Sequence, residues 1–278
     1  MFCVKKVLNN NVLIAEDGLE EEVILIGKGI GFNRKKGESI SNDLVEKLFV
    51  LRNEKERQNY IKLLPQMDET LLKTIIDAIA IIRNRSNAIL NEQVHVALTD
   101  HILFAVTRLM KGLEIKNPFL IETKALYPVE YEIGEDVVEF INQSLDIQLP
   151  EGEIGFIALH VHSAISDKSI SDINKYSTLI SKLIEVIEDQ LQIKISQESI
   201  NYIRLIRHLR YTIDRVLNGE YVEEPVKIRN LLKMEYPTCY NLSWKLIKIM
   251  QQTLKKEVYE AEAVYLTMHL QRLNNKFE

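Results

Sequence analysis

The sequence predicts a multidomain chain in which a small antiparallel β-sheet domain precedes two all-α helical-bundle domains. Three observations lead there. Short β-branched runs broken by Asn- and Gly-rich turns fill the first ~55 residues; helical apolar spacing fills the remainder; and the remainder repeats itself. The 278 residues are long for one domain. With 46% hydrophobic and 27% charged residues there is enough apolar material for cores, which excludes a disordered chain. A net charge of −5 speaks against a whole-molecule nucleic-acid binder, yet leaves room for one local basic surface. The longest apolar run, Ile154 to Ile165, carries His160 and His162 and falls short of the ~18–20 residues of a membrane helix. MFCVKKVLNN lacks the apolar core of a signal peptide, so a cytoplasmic protein without membrane insertion is expected. Cys3 and Cys239 are far apart and form no metal pattern, and no cofactor is expected.

Within the sheet domain, Phe2–Leu8 and Val12–Ala15 flank Asn9-Asn10-Asn11, where Asn's tolerance of left-handed backbone predicts a hairpin turn. Asp17-Gly18 marks the next turn, Glu22–Ile26 a third strand and Val45–Leu51 a fourth. Between the last two lies GKGIGFNRKKG, residues 27–37, whose three glycines in five positions predict a loop able to approach something closely. Helical spacing then covers Leu71–Leu90, Val96–Leu113, Asp136–Leu145, Ile154–Ile165, Leu179–Leu191, Ser196–Leu217, Leu242–Leu254 and Ala261–Leu273. SAISDKSISDIN, residues 163–174, is the linker candidate between helical halves.

The two halves are copies of one module. His101 is followed by Arg108, Gly112 and Pro118 at +7, +11 and +17; His208 is followed by Arg215, Gly219 and Pro225 at the same spacings. Pro128 precedes His160 by 32 residues, and Pro237 precedes His269 by 32; Glu153 and Glu262 each precede the second histidine by seven. The duplication singles out His101, His160, His208 and His269. His95 and His162 have no counterpart (Gln271 occupies the place matching His162) and are expected to be structural.

Helix geometry sharpens the chemistry. At about 100° per residue, His101 falls roughly 130° from the apolar face of Leu98, Ile102, Val106, Leu109 and Leu113, with Arg108 within about 20° of it and Lys111 near. His208 shares a polar face with Arg204, Tyr211 and Arg215. Imidazoles beside guanidinium groups suit a phosphate better than a metal ion. His160 and His269 lie on helices apolar nearly all round, which predicts partial burial. In the sheet domain, Lys28, Arg34, Lys35, Lys36 and Phe32 on the glycine-rich loop, with Lys5, Lys6 and Asn9–Asn11, offer the phosphate contacts, base-edge hydrogen bonds and stacking that RNA takes. The acidic run Glu16, Asp17, Glu20, Glu21 and Glu22 must face away from any polyanion.

VKKVLNNNVLIAEDG…EVILIGKGIGFNRKKG resembles the co-antiterminator RNA-binding domain of the BglG/SacY transcriptional antiterminators, and LTDHI, GEIGFIALHVHSA, LIRHLRYTIDRV and AEAVYLTMHLQRL resemble their two PTS regulation domains. GKGIGF, EIGFIALHVHSA and EAEAVYLTMHL look most like the Gram-positive glucose-operon (GlcT) type. The resemblance implies a co-antiterminator domain over residues 1–57 and PTS regulation domains over 58–170 and 171–278. It implies a homodimer of four-stranded sheets that binds a hairpin in the leader of a nascent mRNA and prevents a terminator from forming. RNA contacts carry over to Lys6, Asn11, Gly27, Lys28 and Phe32; many relatives have Arg where Lys28 stands, and Lys lacks the bidentate fork. Phosphorylation carries over to His101, His160, His208 and His269, with HPr and a sugar permease of the phosphotransferase system as donors. Arg108, Arg204 and Arg215 are the expected phosphate-supporting groups. The chain then accepts phosphate without being an enzyme. A DNA-binding activator with the same modules needs a helix-turn-helix before residue 60, where the strand-rich sequence supplies none. A phosphocarrier or metal-dependent enzyme finds no HExxH motif or carboxylate cluster.

Overall fold

The computed structural model describes residues 1–18, 21–50, 53–87, 93–166, 168–221, 223 and 225–274. Glu20, Leu51 and positions 88–90 of the sequence-based expectations lie outside the described residues. β1 (Phe2–Asn9), β2 (Val12–Glu16), β3 (Glu22–Ile26), β4 (Ser39–Ile40) and β5 (Lys47–Phe49) form an antiparallel sheet in the order β4-β1-β2-β3-β5. Four strands are expected from sequence. The fifth, β4, pairs only Phe2 with Ile40 and Cys3 with Ser39, too short to leave a pattern.

The first hairpin closes differently from the expectation. None of Asn9, Asn10 and Asn11 takes a positive φ. The Asn9 Oδ1 instead accepts the Asn11 N–H at 2.9 Å, and register shifts between Val4 and Lys6 and between Val7 and Asn9 take up the twist. Strands β2 and β3 are apolar at consecutive positions because both faces are covered. Leu13, Ala15, Val23 and Leu25 pack with Val4, Ile30 and Ile40 on one face. Val12, Ile24 and Ile26 join a helical core with Tyr60, Leu64, Leu72, Ile75 and Ile79 on the other.

The helices are α1 (Glu54–Leu63), α2 (Glu69–Ser86), α3 (Gln93–Met110), α4 (Leu120–Leu126), α5 (Pro128–Leu145), α6 (Gly152–Ser166), α7 (Ile170–Leu191), α8 (Ile200–Asn218), α9 (Val226–Glu235), α10 (Pro237–Leu254) and α11 (Ala261–Asn274). Side-chain caps fix several starts: Asn53 caps Lys55 and Glu56, Asp68 caps Leu71, and Ser199 caps Tyr202, so α8 begins four residues later than its apolar spacing implies. The expected linker is mostly helical. Between the end of α6 and the start of α7 the described residues are Lys168 and Ser169, and Ser169 caps Asp172. The Ser and Asp content there serves a cap and solvent-facing turns.

Two compact units result: Met1–Asn117 with Val129–Asp167, and Pro118–Pro128 with Lys168–Glu278. They divide the chain differently from boundaries at 57/58 and 170/171. The sheet shares a core with α1 and α2 in the first unit. In the second, α4 packs on α8, where the Tyr202 hydroxyl donates to the buried Glu122 at 2.6 Å and Arg207 donates to the Ala125 carbonyl. Among the described residues, no helix is long and apolar enough to cross a membrane.

Candidate functional site

In the first unit, α3 packs against α6. A spacing of seven residues is two helical turns, so His101 and Arg108 share one face of α3, and Glu153 and His160 share one face of α6. The Glu153 carboxylate joins the two helices. Its Oε2 lies 2.9 Å from the His101 Nε2, and its Oε1 accepts from the Arg108 Nη2 at 2.7 Å. The rings of His101 and His160 are 4.9 Å apart, with Phe156 5.6 Å from His101. Phe104 lies under the Arg108 guanidinium at 4.7 Å. Glu153 is only 2% exposed. Burial, and then the facing His101, push the His160 pKa down to about 3, so its ring is neutral at physiological pH.

The second unit repeats the arrangement on α8 and α11. His208 and His269 stack at 4.8 Å. The buried Glu262 accepts from the Arg215 Nε at 3.0 Å and its Nη2 at 2.6 Å, both on Oε1. Its Oε2 accepts the Thr212 hydroxyl at 2.7 Å and lies 3.6 Å from the His208 Nε2. Tyr265 stands where Phe156 stands in the first copy, 6.1 Å from His208. Burial, with His269 and Arg215 adding to it, pushes the His208 pKa down to about 3. The His269 pKa is lowered by burial and then by Arg272 and Arg204.

The four duplicated histidines thus fall into two close pairs, the first tilted and the second stacked. Arg108 and Arg215, expected to support phosphate, are each held by a glutamate, and the exposed Arg204 acts on His269 rather than on His208. Sequence reasoning missed the glutamates as partners, although their matched positions seven residues before His160 and His269 carried the signal. His162 bonds Glu130 at 2.9 Å and His95 packs edge-on to Phe49 at 5.5 Å; neither joins a pair. Among the described residues, no group of three or more His, Cys, Asp or Glu could hold a metal ion.

On the sheet, Asn11, Gly27 and Lys28 line one groove with Glu46, Lys47, Glu69, Lys73 and Asp77. Asn11 is fully engaged: its Oδ1 accepts the Gly29 N–H at 2.7 Å and its Nδ2 donates to Glu69 on α2 at 3.0 Å. The close approach expected of the glycines is to the chain itself. A Cβ on Gly27 would lie 2.0 Å from the Leu44 carbonyl oxygen, and one on Gly31 2.2 Å from that of Asn9. That docking sets the loop against the first hairpin and leaves Phe32 61% exposed beside it. Lys6 is exposed on β1, whereas Lys5 is tied to Glu16 and Glu22.

A family model described as the CAT RNA binding domain matches residues 2–58, and one described as the PRD domain matches 76–164 and 181–273. The chain belongs to the antiterminator family that joins a CAT RNA-binding domain to PRD domains. It is 56% identical to the PtsGHI operon antiterminator of Bacillus subtilis (strain 168), over 99% of this chain and 98% of that protein. It is 44% identical to the GlcA/glcB genes antiterminator of Staphylococcus carnosus (strain TM300), over 100% and 97%. A solved structure titled "Crystal structure of GlcT CAT-PRDI" covers 59% of this chain and 98% of its own, with 54% identity and a TM-score of 0.53. In this antiterminator the first PRD match encloses the His101–His160 pair and the second the His208–His269 pair. The CAT match encloses Lys6, Asn11, Gly27, Lys28 and Phe32.

Proposed function

We propose that the protein binds, as a homodimer, an RNA hairpin in the leader of a glucose-type phosphotransferase operon mRNA, and that phosphorylation of its paired histidines controls this binding. The carrying observation is the duplicated cluster itself: two facing imidazoles, one buried carboxylate and one arginine in each copy. The working division is an RNA-binding domain at 1–57 and regulatory domains at 58–170 and 171–278. Lys6, Asn11, Gly27, Lys28 and Phe32 form the RNA surface; His101, His160, His208 and His269 accept phosphate from HPr or a sugar permease. The protein is a regulator rather than an enzyme and works in the cytoplasm.

The physics supplies a switch. A phosphoryl group on His101 brings roughly −2 charge within a few ångströms of Glu153. Two anions cannot share that pocket with one guanidinium. Arg108 then exchanges Glu153 for the phosphate, and the tie between α3 and α6 that rests on the Arg108–Glu153 bond is lost. In this reading phosphorylation of the first regulatory domain inhibits, and sugar uptake, by draining phosphate from the permease, releases RNA binding.

The RNA half is tested by Phe32→Ala in the full chain. Phe32 is 61% exposed, so its loss spares the core. Affinity for the leader hairpin should fall by about 1–3 kcal/mol, the worth of one stacked base. Unchanged affinity would remove Phe32 from the RNA surface.

A further inference from the structure

The two histidine clusters differ at one decisive place. His101 to Arg108 matches His208 to Arg215 position by position, so Ala105 corresponds to Thr212. In the first copy the two glutamate oxygens are divided between Arg108 and His101. In the second, Arg215 takes one oxygen through two N–H groups and the Thr212 hydroxyl takes the other. The His208 Nε2 is left 3.5 Å from the Thr212 Oγ1 and 3.6 Å from the carboxylate, beyond a direct bond to it. Alanine has no group that can compete, so His101 keeps its carboxylate.

We propose that Glu153 is a positioning residue for phosphoryl transfer to His101 and that Thr212 cancels the equivalent role of Glu262 toward His208, making the first copy the more reactive acceptor. The proposal deepens the phosphorylation reading above and rests on it. A carboxylate on Nε2 holds the neutral ring in the Nε2–H tautomer, fixes its orientation and leaves the Nδ1 lone pair free. That lone pair forms the new N–P bond while the donor's own bond to phosphorus breaks. The donor's leaving group (the imidazole of a phosphohistidine, or the amine nitrogen of phosphoramidate, which takes up a proton and departs as ammonia) carries off the electron pair, and the positive charge that develops on the His101 ring is stabilised by Glu153 through Nε2–H. In the second copy the Thr212 hydroxyl stands between: its proton goes to Glu262, and its oxygen offers the His208 Nε2 only a long, neutral contact of 3.5 Å, so the ring is held more loosely and faces no charge at bonding distance. Access does not separate the copies, because the His101 and His208 side chains are 15% and 14% exposed.

The test uses phosphoramidate, a small donor that needs no protein docking, on the full chain, with site-resolved mass spectrometry of each histidine. His101 should be phosphorylated on the order of ten-fold faster than His208, the lower end of what losing a carboxylate partner costs a metal-bound histidine. Ala105→Thr should slow His101 by a similar factor, and Thr212→Ala should speed His208. Thr212→Val, which keeps the shape without the hydroxyl, guards against a packing effect and should also speed His208. Nitrogen-15 spectra should show the Nε2–H tautomer at His101 in the parent protein and its loss in Ala105→Thr. Equal rates at His101 and His208, or swaps that leave both rates unchanged in folded protein, overturn the proposal. If these differences appear yet neither phosphorylated HPr nor the permease modifies any of the four histidines, the acceptor chemistry stands and the donor assignment falls.

Discussion

Replacing Glu262 by alanine should be among the most destabilising single changes in the second unit. The side chain is 2% exposed and accepts three hydrogen bonds, two from Arg215 and one from Thr212. Removing one partner of a buried ion pair costs about 3–5 kcal/mol, because the other charge stays behind. Arg215 is 28% exposed and can turn partly to water, which places its share near the lower end, about 3 kcal/mol. The Thr212 hydroxyl is fully buried and loses its acceptor, adding about 1 kcal/mol. The sum is about 4 kcal/mol. Trp244, the only tryptophan, sits half-buried on α10 beside the same core, so its emission during urea unfolding reports this unit. Replacing Glu262 and Arg215 together by methionine should recover at least half of the loss, since no orphaned charge remains. Lys194→Ala serves as the control: it breaks a bridge of 2.7 Å to Glu188, but at the surface, and should leave the midpoint in place. A Glu262→Ala cost below about 1 kcal/mol would refute the view that this carboxylate organises the cluster.

Two further outcomes follow from named contacts. The unfolded histidine binds a proton below about 6.5, whereas His160 and His208 in the fold resist it down to about 3, so the native state loses stability as pH falls from 6.5 toward 3. Urea midpoints should drop between pH 6.5 and 5, and His160→Asn with His208→Asn should flatten that slope; an unchanged slope would show the rings already charged in the fold. On the sheet, Glu69→Ala frees the Asn11 amide and should tighten leader-RNA binding several-fold, read by fluorescence anisotropy, whereas weaker binding would mean that Glu69 shapes the RNA surface.

Much of this was legible in the chain because it rests on periodicity and repetition. Continuous apolar runs announced β2 and β3, and the matched spacings singled out the histidines, arginines and glutamates without showing that they meet. What escaped notice had weak or misleading local signals. The seven-residue α4 is too short to show a period, and α9 buries only Leu232 while leaving Ile228, Leu231 and Met234 exposed. The Ser- and Asp-rich stretch read as a linker because caps and solvent-facing turns use the same residues as loops. The asparagines mark the turn in the sequence, but its closure by the Asn9 side chain depends on bulges that only the paired strand reveals. Gly27 and Gly31 announced close approach without saying to what. Sequence spacing puts Arg108 and Arg215 on basic faces but does not show that a glutamate on another helix already holds them.

Control of RNA binding by phosphate on the paired histidines can be followed in a single titration. Leader-hairpin RNA is titrated with the full chain before and after incubation with the phosphorylated permease domain, with the modified sites mapped on the same samples. Phosphate should appear on His101 or His160, RNA binding should weaken after phosphorylation, and binding by His101→Ala with His160→Ala should not change. Phosphate found only outside His101, His160, His208 and His269, or RNA affinity identical before and after full modification, would rule out phosphohistidine control.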